Sequence, residues 1–451
     1  MTKYAATLIV SCMLVACGPT TEETPGEETS PCNDGLCLGD LMCLSNLCVD
    51  PDWQPGSSGS SPSEGGGDDD GSTENAPTEP VDQVDVLFVI DNSGSMGEEQ
   101  ANLSESIGSF TAPLEDAGMS VRVAITTTDD GNYWCNGNNV SMAESGQHVL
   151  SSCRTRLNEF YFAGDDTNAE TACTDFCDDD TLPGVGSDSW LEFGTSTNFE
   201  GSINSLLRCA LPQGINGCGF ESTLESTRKA LLRTELTGEP ESGFIREGAH
   251  LAIVFVTDEA DCSFNRDHQS TVFGEDGAGN QVFWSLPDQQ QPSSAVCWNA
   301  GVDCDFSLDQ DQCTAVDKNV DGGPATDADD AAIYPVDRFR SQLESIRESK
   351  LAFGADVFTF GIVGVPSDYP EVGRIAYAEG PTNDDPGSFQ NRFGIGPGCT
   401  SQVAEAVPPV RIRELVENSA WGDNGQLYSI CDSDYGPALA DIAGTVVDYT
   451  P

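Results

Sequence analysis

The sequence contains few basic residues. Lysine and arginine together number 19, against 75 aspartates and glutamates, so the formal net charge of the 451 residues is −56. Nucleic acids and anionic lipid surfaces attract basic protein surfaces, so this charge argues against direct binding of either. The same negative charge favours the binding of divalent cations to the chain.

Histidine and the common catalytic motifs are also scarce. The chain has three histidines, His148, His250 and His268, which leave little for a histidine-based zinc site. It lacks a G-x-x-x-x-G-K-[ST] loop, an H-E-x-x-H helix and a G-x-S-x-G elbow. We therefore expect a protein that is not an enzyme, and these absences argue against an exported hydrolase.

The sequence has no hydrophobic run of transmembrane length. The apolar stretch near the N-terminus, residues 5–16, is too short to span a bilayer. It follows Lys3, as the apolar region of a secretory signal peptide follows a positive charge. The run ends in Leu-Val-Ala before Cys17, which resembles the lipobox of bacterial lipoproteins. That resemblance implies a signal peptide over 1–16, lipidation of Cys17, and export to the cell envelope. Gly18 after the cysteine favours the outer membrane or cell surface, with the lipid as the membrane attachment.

Three segments follow the expected signal. Residues 17–31 are an acidic tether without aliphatic or aromatic residues, and 51–80 form a Gly/Ser/Pro-rich acidic linker. Between them, residues 32–50 are too few to bury a core, so we expect a small disulfide module. Its four cysteines, which allow three pairings, are Cys32, Cys37, Cys43 and Cys48.

A buried strand over 84–90 leads into a loop rich in oxygen-bearing side chains. In this loop Asp91, Ser93 and Ser95 are spaced two residues apart, and a helical pattern follows over 98–114. In α/β folds such a loop lies at the carboxyl edge of the sheet, where ligands bind. Oxygen ligands suit Mg²⁺, which we expect first, with Mn²⁺ and Ca²⁺ as alternatives.

The D-x-S-x-S motif after an apolar strand resembles the metal-ion-dependent adhesion site of von Willebrand factor type A domains. In that family a third loop supplies an aspartate, and the strand over 251–256 ends in Thr257 and Asp258, so Asp258 is the expected ligand. A second loop supplies a threonine, whose place falls near Cys218 here. The alternatives to that threonine are Glu221, Ser222 and Thr223. The resemblance implies a metal ion that binds an acidic side chain of a protein partner.

The other elements fit a doubly wound, mostly parallel α/β sheet flanked by helices, which would occupy residues 81–451. Insertions are expected near 129–200, 262–332 and 366–409. The remaining expected helices cover 199–210, 221–232, 333–350, 410–417 and 439–447, and the remaining strands cover 119–127, 355–363 and 426–430.

Twelve further cysteines lie within 81–451, and export predicts that they form disulfides. Proximity in sequence favours Cys209 with Cys218 and Cys304 with Cys313. A bond between Cys399 and Cys431 would tie the third insertion to the sheet.

One insertion contains a second candidate cation site. Asp317, Asn319 and Asp321, followed by Gly322, match the start of a D-x-N-x-D-G calcium loop and resemble EF-hand and dockerin loops. The closing acid is missing, because Ala328 occupies the twelfth position. A solvated acidic loop is the alternative interpretation.

These observations predict a surface-displayed binding module whose divalent ion coordinates an acidic side chain of a protein partner. The alternative is a disulfide-stapled structural envelope protein whose metal site is vestigial or only stabilises the fold. The two hypotheses differ in whether metal removal abolishes partner binding or only lowers the melting temperature.

Overall fold

The computed structural model describes residues 42–44, 47–49, 82–137, 143–162, 166–274, 279–286, 289, 291–307, 313–380, 385, 387–401, 405–417 and 424–449. The expected signal peptide, Cys17, the tether, Cys32, Cys37 and the linker lie outside these residues. The chain divides into two units, Met1–Trp53 and Gln54–Pro451. In the first unit, two short strands pair antiparallel, with Cys43 opposite Cys48 in the backbone register.

The strands, in chain order, are β1 Met42–Leu44, β2 Leu47–Val49, β3 Gln83–Ile90, β4 Ser120–Thr127, β5 Tyr161–Phe162, β6 Thr167–Asn168, β7 Leu191–Phe193, β8 His250–Val256, β9 Val302–Cys304, β10 Cys313–Ala315, β11 Val357–Val363, β12 Cys399–Thr400, β13 Glu405–Ala406 and β14 Gly425–Ser429.

The helices are α1 Gly97–Ser106, α2 Gly108–Asp116, α3 Tyr133–Gly137, α4 Thr171–Thr174, α5 Ile203–Ala210, α6 Thr223–Glu235, α7 Arg266–Phe273, α8 Ala295–Gly301, α9 Val336–Leu351, α10 Tyr369–Val372, α11 Phe389–Phe393, α12 Val410–Val416 and α13 Gly436–Val447. No helix in the described part of the chain is long and apolar enough to cross a membrane.

A six-stranded sheet organises the second unit, in the order β14-β11-β8-β3-β4-β7. Every neighbouring pair is parallel except β4 with β7. The fold is therefore mixed α/β with a mostly parallel central sheet flanked by helices. The segment near 129–200, which was expected to be an insertion, contributes β7 to the edge of the sheet.

The central strand β3 is buried on both faces, which explains its run of apolar, β-branched residues. Val86 and Phe88 belong to one hydrophobic core with residues of α1, α2, α5 and α13. Leu87 and Val89 belong to a second core with residues of α6, α9 and α12. Alternate residues of one strand thus fill two helical layers, as the two-residue period of a strand requires.

The expected helix over 98–114 is two helices. The chain turns at Ile107, where α1 ends and α2 begins. Ile107 is fully buried in the same core as Phe88. The apolar spacing that predicted one helix therefore continues across the break, since both helices pack on the same face of the sheet.

Six disulfides join the described residues of the second unit: Cys135–Cys218, Cys153–Cys173, Cys177–Cys209, Cys262–Cys297, Cys304–Cys313 and Cys399–Cys431. The expected Cys304–Cys313 and Cys399–Cys431 pairs form. The expected pairing of Cys209 with Cys218 is wrong. Cys209 lies in a buried cluster with Cys153 and Cys177, whereas Cys218 lies in another cluster with Cys135, so their short separation in sequence does not bring them together.

Candidate metal centre

The loop after β3 is folded around the carboxylate of Asp91. Asp91 is fully buried, and its Oδ1 accepts the backbone N–H of Ser93 at 2.8 Å. This bond to the backbone two residues ahead is the Asx turn that aspartate favours. Ser93 Oγ lies 3.3 Å from Ser95 Oγ. The three side chains predicted from the D-x-S-x-S spacing are thus held in one compact turn that leads into α1.

The loop after β8 reaches the same turn. Thr257 Oγ1 donates to Asp91 Oδ2 at 2.6 Å, and Ser95 Oγ donates to Asp258 Oδ1 at 3.2 Å. The backbone also joins the two loops, because Asp91 N–H donates to the carbonyl of Val256 at 2.9 Å. Parallel neighbouring strands end at one edge of the sheet, and this brings Asp258 to the D-x-S-x-S loop, 163 residues from its Ser95 partner.

Among the three alternatives in the second loop, Glu221 is the residue whose charge acts on Asp91. Its Oε2 accepts the hydroxyl hydrogen of Thr128, and its Oε1 accepts no hydrogen bond from a donor among the described residues. A proton on the Glu221 carboxyl group would be shared with Asp91, and this hydrogen bond lowers the pKa of Asp91. Ser222 is engaged elsewhere, because its hydroxyl donates to the carbonyl of Cys262 at 3.1 Å. Thr223 begins α6, and its buried hydroxyl has no partner in the described part of the chain.

The second loop is positioned by backbone contacts with its neighbours. Gly217 N–H donates to the carbonyl of Asn92 at 2.7 Å, and Ser222 N–H donates to the carbonyl of Thr128 at 3.0 Å. A Cβ atom at Gly217 would lie 2.2 Å from Asn92 Oδ1, so only glycine permits this close approach. Cys218, near which the threonine was expected, forms a disulfide with Cys135 and is therefore not available as a ligand.

The site concentrates buried carboxyl groups. Burial and the charges of Asp91 and Glu259 raise the pKa values of Glu221 and Asp258 well above their usual range. Burial also raises the pKa of Asp91, although its bonds from Thr257 and Ser93 oppose the shift. Glu259 is shifted to a pKa of about 8 by burial and by Asp91. Among the described residues, the salt bridges of the chain involve none of these four carboxylates.

Asp261 lies three residues beyond Asp258 but has a different environment. Its Oδ2 accepts from Arg411 Nε at 2.9 Å, and its Oδ1 accepts the N–H of Leu224 at 3.0 Å. Asp261 therefore anchors the first turn of α6 and is neutralised by a cation. This contrast separates a structural acid from the four acids of the candidate site.

Sequence reasoning missed two residues after β4. Thr128 donates to Glu221, and Asp129 Oδ2 accepts the N–H of Cys218 at 3.2 Å. Both are fully buried. The available signal was a run of polar residues, 126–130, at the carboxyl end of β4, a strand that neighbours β3 in the sheet.

The candidate calcium loop follows β10 in the chain. Asn319 Oδ1 accepts the backbone N–H of Asp321 at 3.2 Å and that of Gly323 at 3.0 Å. Ala325 N–H donates to the carbonyl of Asp317 at 2.9 Å. The side chain of Asn319 is therefore used to close its own turn, and calcium binding by Asp317, Asn319 and Asp321 stays a prediction.

The fold and this site define an α/β protein with a buried cluster of carboxylate and hydroxyl oxygens at the carboxyl edge of a parallel sheet. No protein-family model and no curated protein sequence matches the chain. Among solved structures, the pilus adhesin SpaC of Lactobacillus rhamnosus GG, in its open conformation, aligns with a TM-score of 0.34 and 11% sequence identity.

That alignment covers 82% of this chain and 31% of the adhesin. A second crystal structure of SpaC aligns with a TM-score of 0.29 and 11% identity, covering 83% of this chain and 32% of that one. The chain thus spans about a third of the length of these adhesin structures.

Proposed function

We propose that the second unit is a von Willebrand factor type A-like domain that binds a protein partner through a divalent metal ion. The lipid on Cys17 would hold it in the cell envelope, at the outer membrane or cell surface, and the linker 51–80 would extend it from the membrane. The protein is a binding module and not an enzyme. The observation that carries this proposal is the fully buried Glu221 carboxyl group beside the buried carboxyl group of Asp91, with no basic side chain of the described residues paired to either.

The residues present fit a hard divalent cation. The candidate ligands Asp91, Ser93, Ser95, Asp258 and Glu221 all offer oxygen, which Mg²⁺ prefers. An isolated buried carboxylate is costly unless it is protonated or meets a cation. A bound Mg²⁺ would compensate this charge and accept an acidic oxygen from a partner, and Mn²⁺ or Ca²⁺ could take its place.

The side chains around the candidate ligands favour a preformed site. Asp91 is oriented through both carboxylate oxygens, by Ser93 N–H and by the Thr257 hydroxyl. Ser95 is the exposed member of the group, and it bonds to Asp258. An acidic side chain of a partner would therefore approach from the side of Ser95.

Calorimetric titration of Mg²⁺, Mn²⁺ and Ca²⁺ into the oxidised full chain tests the proposal. We expect saturable binding of at least one of these ions, lost in Asp91→Asn. Asp116→Asn, which changes an exposed acid at the end of α2, is the matched control and should bind as the parent does.

Retention of the same binding by Asp91→Asn would reject Asp91 as a ligand and direct attention to the loop with Asp317 and Asp321. A metal ion that raises the melting temperature would show a stabilising role. If capture of envelope or host proteins is then the same with and without chelator, the structural envelope protein is favoured. Absence of binding by the parent chain for all three ions would reject an autonomous metal site.

A further inference from the structure

A cavity of about 800 Å³ lies beside α1, next to the candidate metal centre. It borders the first turn of α1, which begins directly after the D-x-S-x-S loop, and the segment that follows β14. Both segments lie at the carboxyl edge of the sheet. The polar and aromatic groups that matter for its chemistry are Glu98, Glu99, Glu105, Asp432, Phe176 and Tyr435.

The charge of this cavity has one sign. Four of its lining residues are acids, and no described lining residue is lysine, arginine or histidine. Arg208 approaches from outside the lining, and there it donates to the backbone carbonyl of Glu105 at 3.2 Å and not to the carboxylate. Asp432 has a local partner, because the hydroxyl of Ser367 donates to it. The glutamates of α1 form no salt bridge among the described residues.

Glu99 is the feature that turns an acidic surface into a candidate site. Its side chain lines the cavity although the residue is only 4% exposed, and its Oε2 has no hydrogen-bond partner among the described residues. Burial, with the nearby charges of Glu98 and Asp91, raises the pKa of Glu99 to about 7. A buried acceptor without a donor is unfavourable, and a bound cationic donor would satisfy it.

We propose that this cavity binds the cationic side chain, an arginine guanidinium or a lysine ammonium, of the partner whose acidic side chain meets the metal ion. The partner would then be a protein segment with a basic and an acidic residue close together. Phe176, which is half-buried, offers aromatic surface for the methylene stem or the cation itself. The identity of the partner rests on the proposed function, whereas binding of a cation in the cavity does not.

The size and position of the cavity agree with this occupant. Its volume of about 800 Å³ exceeds one side chain, so part of the adjoining backbone could enter as well. Glu98 lies three residues after Ser95, and both are exposed on the same turn of chain. A single extended segment of a partner could thus reach both places.

Ligand-observed NMR with N-acetyl-arginine methylamide tests the cavity alone. The experiment uses the oxidised full chain at pH 8 in the presence of chelator, so that the metal centre does not contribute. N-acetyl-citrulline methylamide, which has the same shape without the charge, is the matched probe. We expect saturable binding of the arginine probe and binding of the citrulline probe that is weaker by about tenfold or more.

Two variants locate the binding. Glu99→Gln should weaken arginine binding by about tenfold, because it removes the buried charge and keeps the shape of the side chain. Glu98→Gln, at an exposed position, should weaken it by about threefold. Glu115→Gln, an exposed acid in α2 that does not line the cavity, should bind as the parent does. Melting curves of all three show whether they are folded.

Equal binding of the citrulline and arginine probes would overturn the inference, as would unchanged arginine binding in both Glu99→Gln and Glu98→Gln. Displacement of the arginine probe by equimolar Mg²⁺ from the Asp91→Asn variant without chelator would overturn it too, because the cavity would then be a metal site. Failure of the metal titration with retained arginine binding would reject the proposed metal centre and leave the cation site standing, so the two failures are distinguishable.

Discussion

Thr257 donates its hydroxyl hydrogen to Asp91 over 2.6 Å and thereby joins the ends of two neighbouring parallel strands. The two residues are 166 positions apart in the chain. Because Ser93 N–H occupies the other carboxylate oxygen, the orientation of Asp91 is determined by the protein before any ligand arrives. Such preorganisation keeps the cost of ordering the ligands low when a metal binds.

We expect Thr257→Val to weaken Mg²⁺ binding by about tenfold, because groups that orient metal ligands commonly contribute this much to affinity. Valine keeps the shape of threonine and removes the donor. Thr257→Ser, which retains the hydroxyl, is the control and should stay within about twofold of the parent, well short of the tenfold effect. Calorimetric titration measures both, and equal affinity of Thr257→Val and the parent would contradict the orienting role.

We expect Glu221→Gln to stabilise the metal-free chain at pH 8 and to reduce the gain in stability that Mg²⁺ gives. The pKa of Glu221 is raised in the folded state, so its ionised form opposes folding as the pH rises through that value. Removing the charge should add roughly 2 kcal/mol to the free energy of unfolding. Urea unfolding with and without Mg²⁺ measures this.

The matched control for that experiment is Glu348→Gln, an exposed acid of α9, which should change neither value. If Glu221→Gln destabilises the metal-free chain, the protein itself already compensates the Glu221 carboxylate. Glu221 would then not be a metal ligand that lacks its cation.

His250 should make the chain less stable as the pH falls from 7.5 to 5. Its Nδ1 accepts the backbone N–H of Asp356 at 3.0 Å, and burial lowers its pKa to about 4. The unfolded chain takes up a proton near the ordinary pKa of about 6.5, whereas the folded chain does not, so acid favours unfolding over this range. The contribution of His250 should fall by about 2 kcal/mol between pH 7.5 and pH 5.

Comparison with His250→Asn isolates this effect, because asparagine keeps an acceptor for the Asp356 N–H and does not titrate. The free energy of unfolding of the parent minus that of the variant, measured by urea at each pH, should shrink as the pH falls. A constant difference would show that His250 has the same pKa in the folded and the unfolded chain.

The Cys135–Cys218 disulfide should matter for both stability and metal binding. It closes a loop with a sequence separation of 83, for which the chain-entropy relation gives about 4.5 kcal/mol. We expect Cys135→Ala with Cys218→Ala to lower stability by up to this amount and to weaken Mg²⁺ binding, since Cys218 fixes the loop that carries Glu221.

Cys304→Ala with Cys313→Ala is the comparison, because that bond spans a separation of 9 and joins β9 to β10, neither of which carries a candidate ligand. It should cost about 2.6 kcal/mol at most and leave Mg²⁺ affinity unchanged. Equal Mg²⁺ affinity in the two double variants would reject the role of Cys218 in placing the second loop.

Much of the sheet could be predicted from the sequence. The strands β3, β8 and β11 are runs of apolar residues, many of them β-branched, and burial on both faces is what such runs indicate. The acids that follow two of these strands, Asp91 and Asp258, could be placed at one edge because parallel strands share their carboxyl ends. The edge strand β7 was missed because it has three residues within a polar segment.

The second loop could not be resolved from the sequence, and the reason is physical. Glu221, Ser222 and Thr223 all carry oxygen, and only the backbone bonds from Gly217 to Asn92 and from Ser222 to Thr128 decide which of them faces Asp91. Disulfide partners posed the same problem. Cys209 and Cys218 are close in sequence, but helix α5 buries the first in one cluster and the loop buries the second in another.

Disulfides fasten several of the segments around the candidate site: Cys218 to Cys135, Cys262 to Cys297, and Cys431 to Cys399. A newly synthesised, reduced chain contains all the acidic and hydroxyl side chains of the candidate site but lacks these disulfide bonds. Competence to capture a partner would then be acquired during oxidative maturation and not at translation. Under the proposed function, the producing cell would hold no binding-competent form of this protein until the chain had reached a place where thiols are oxidised.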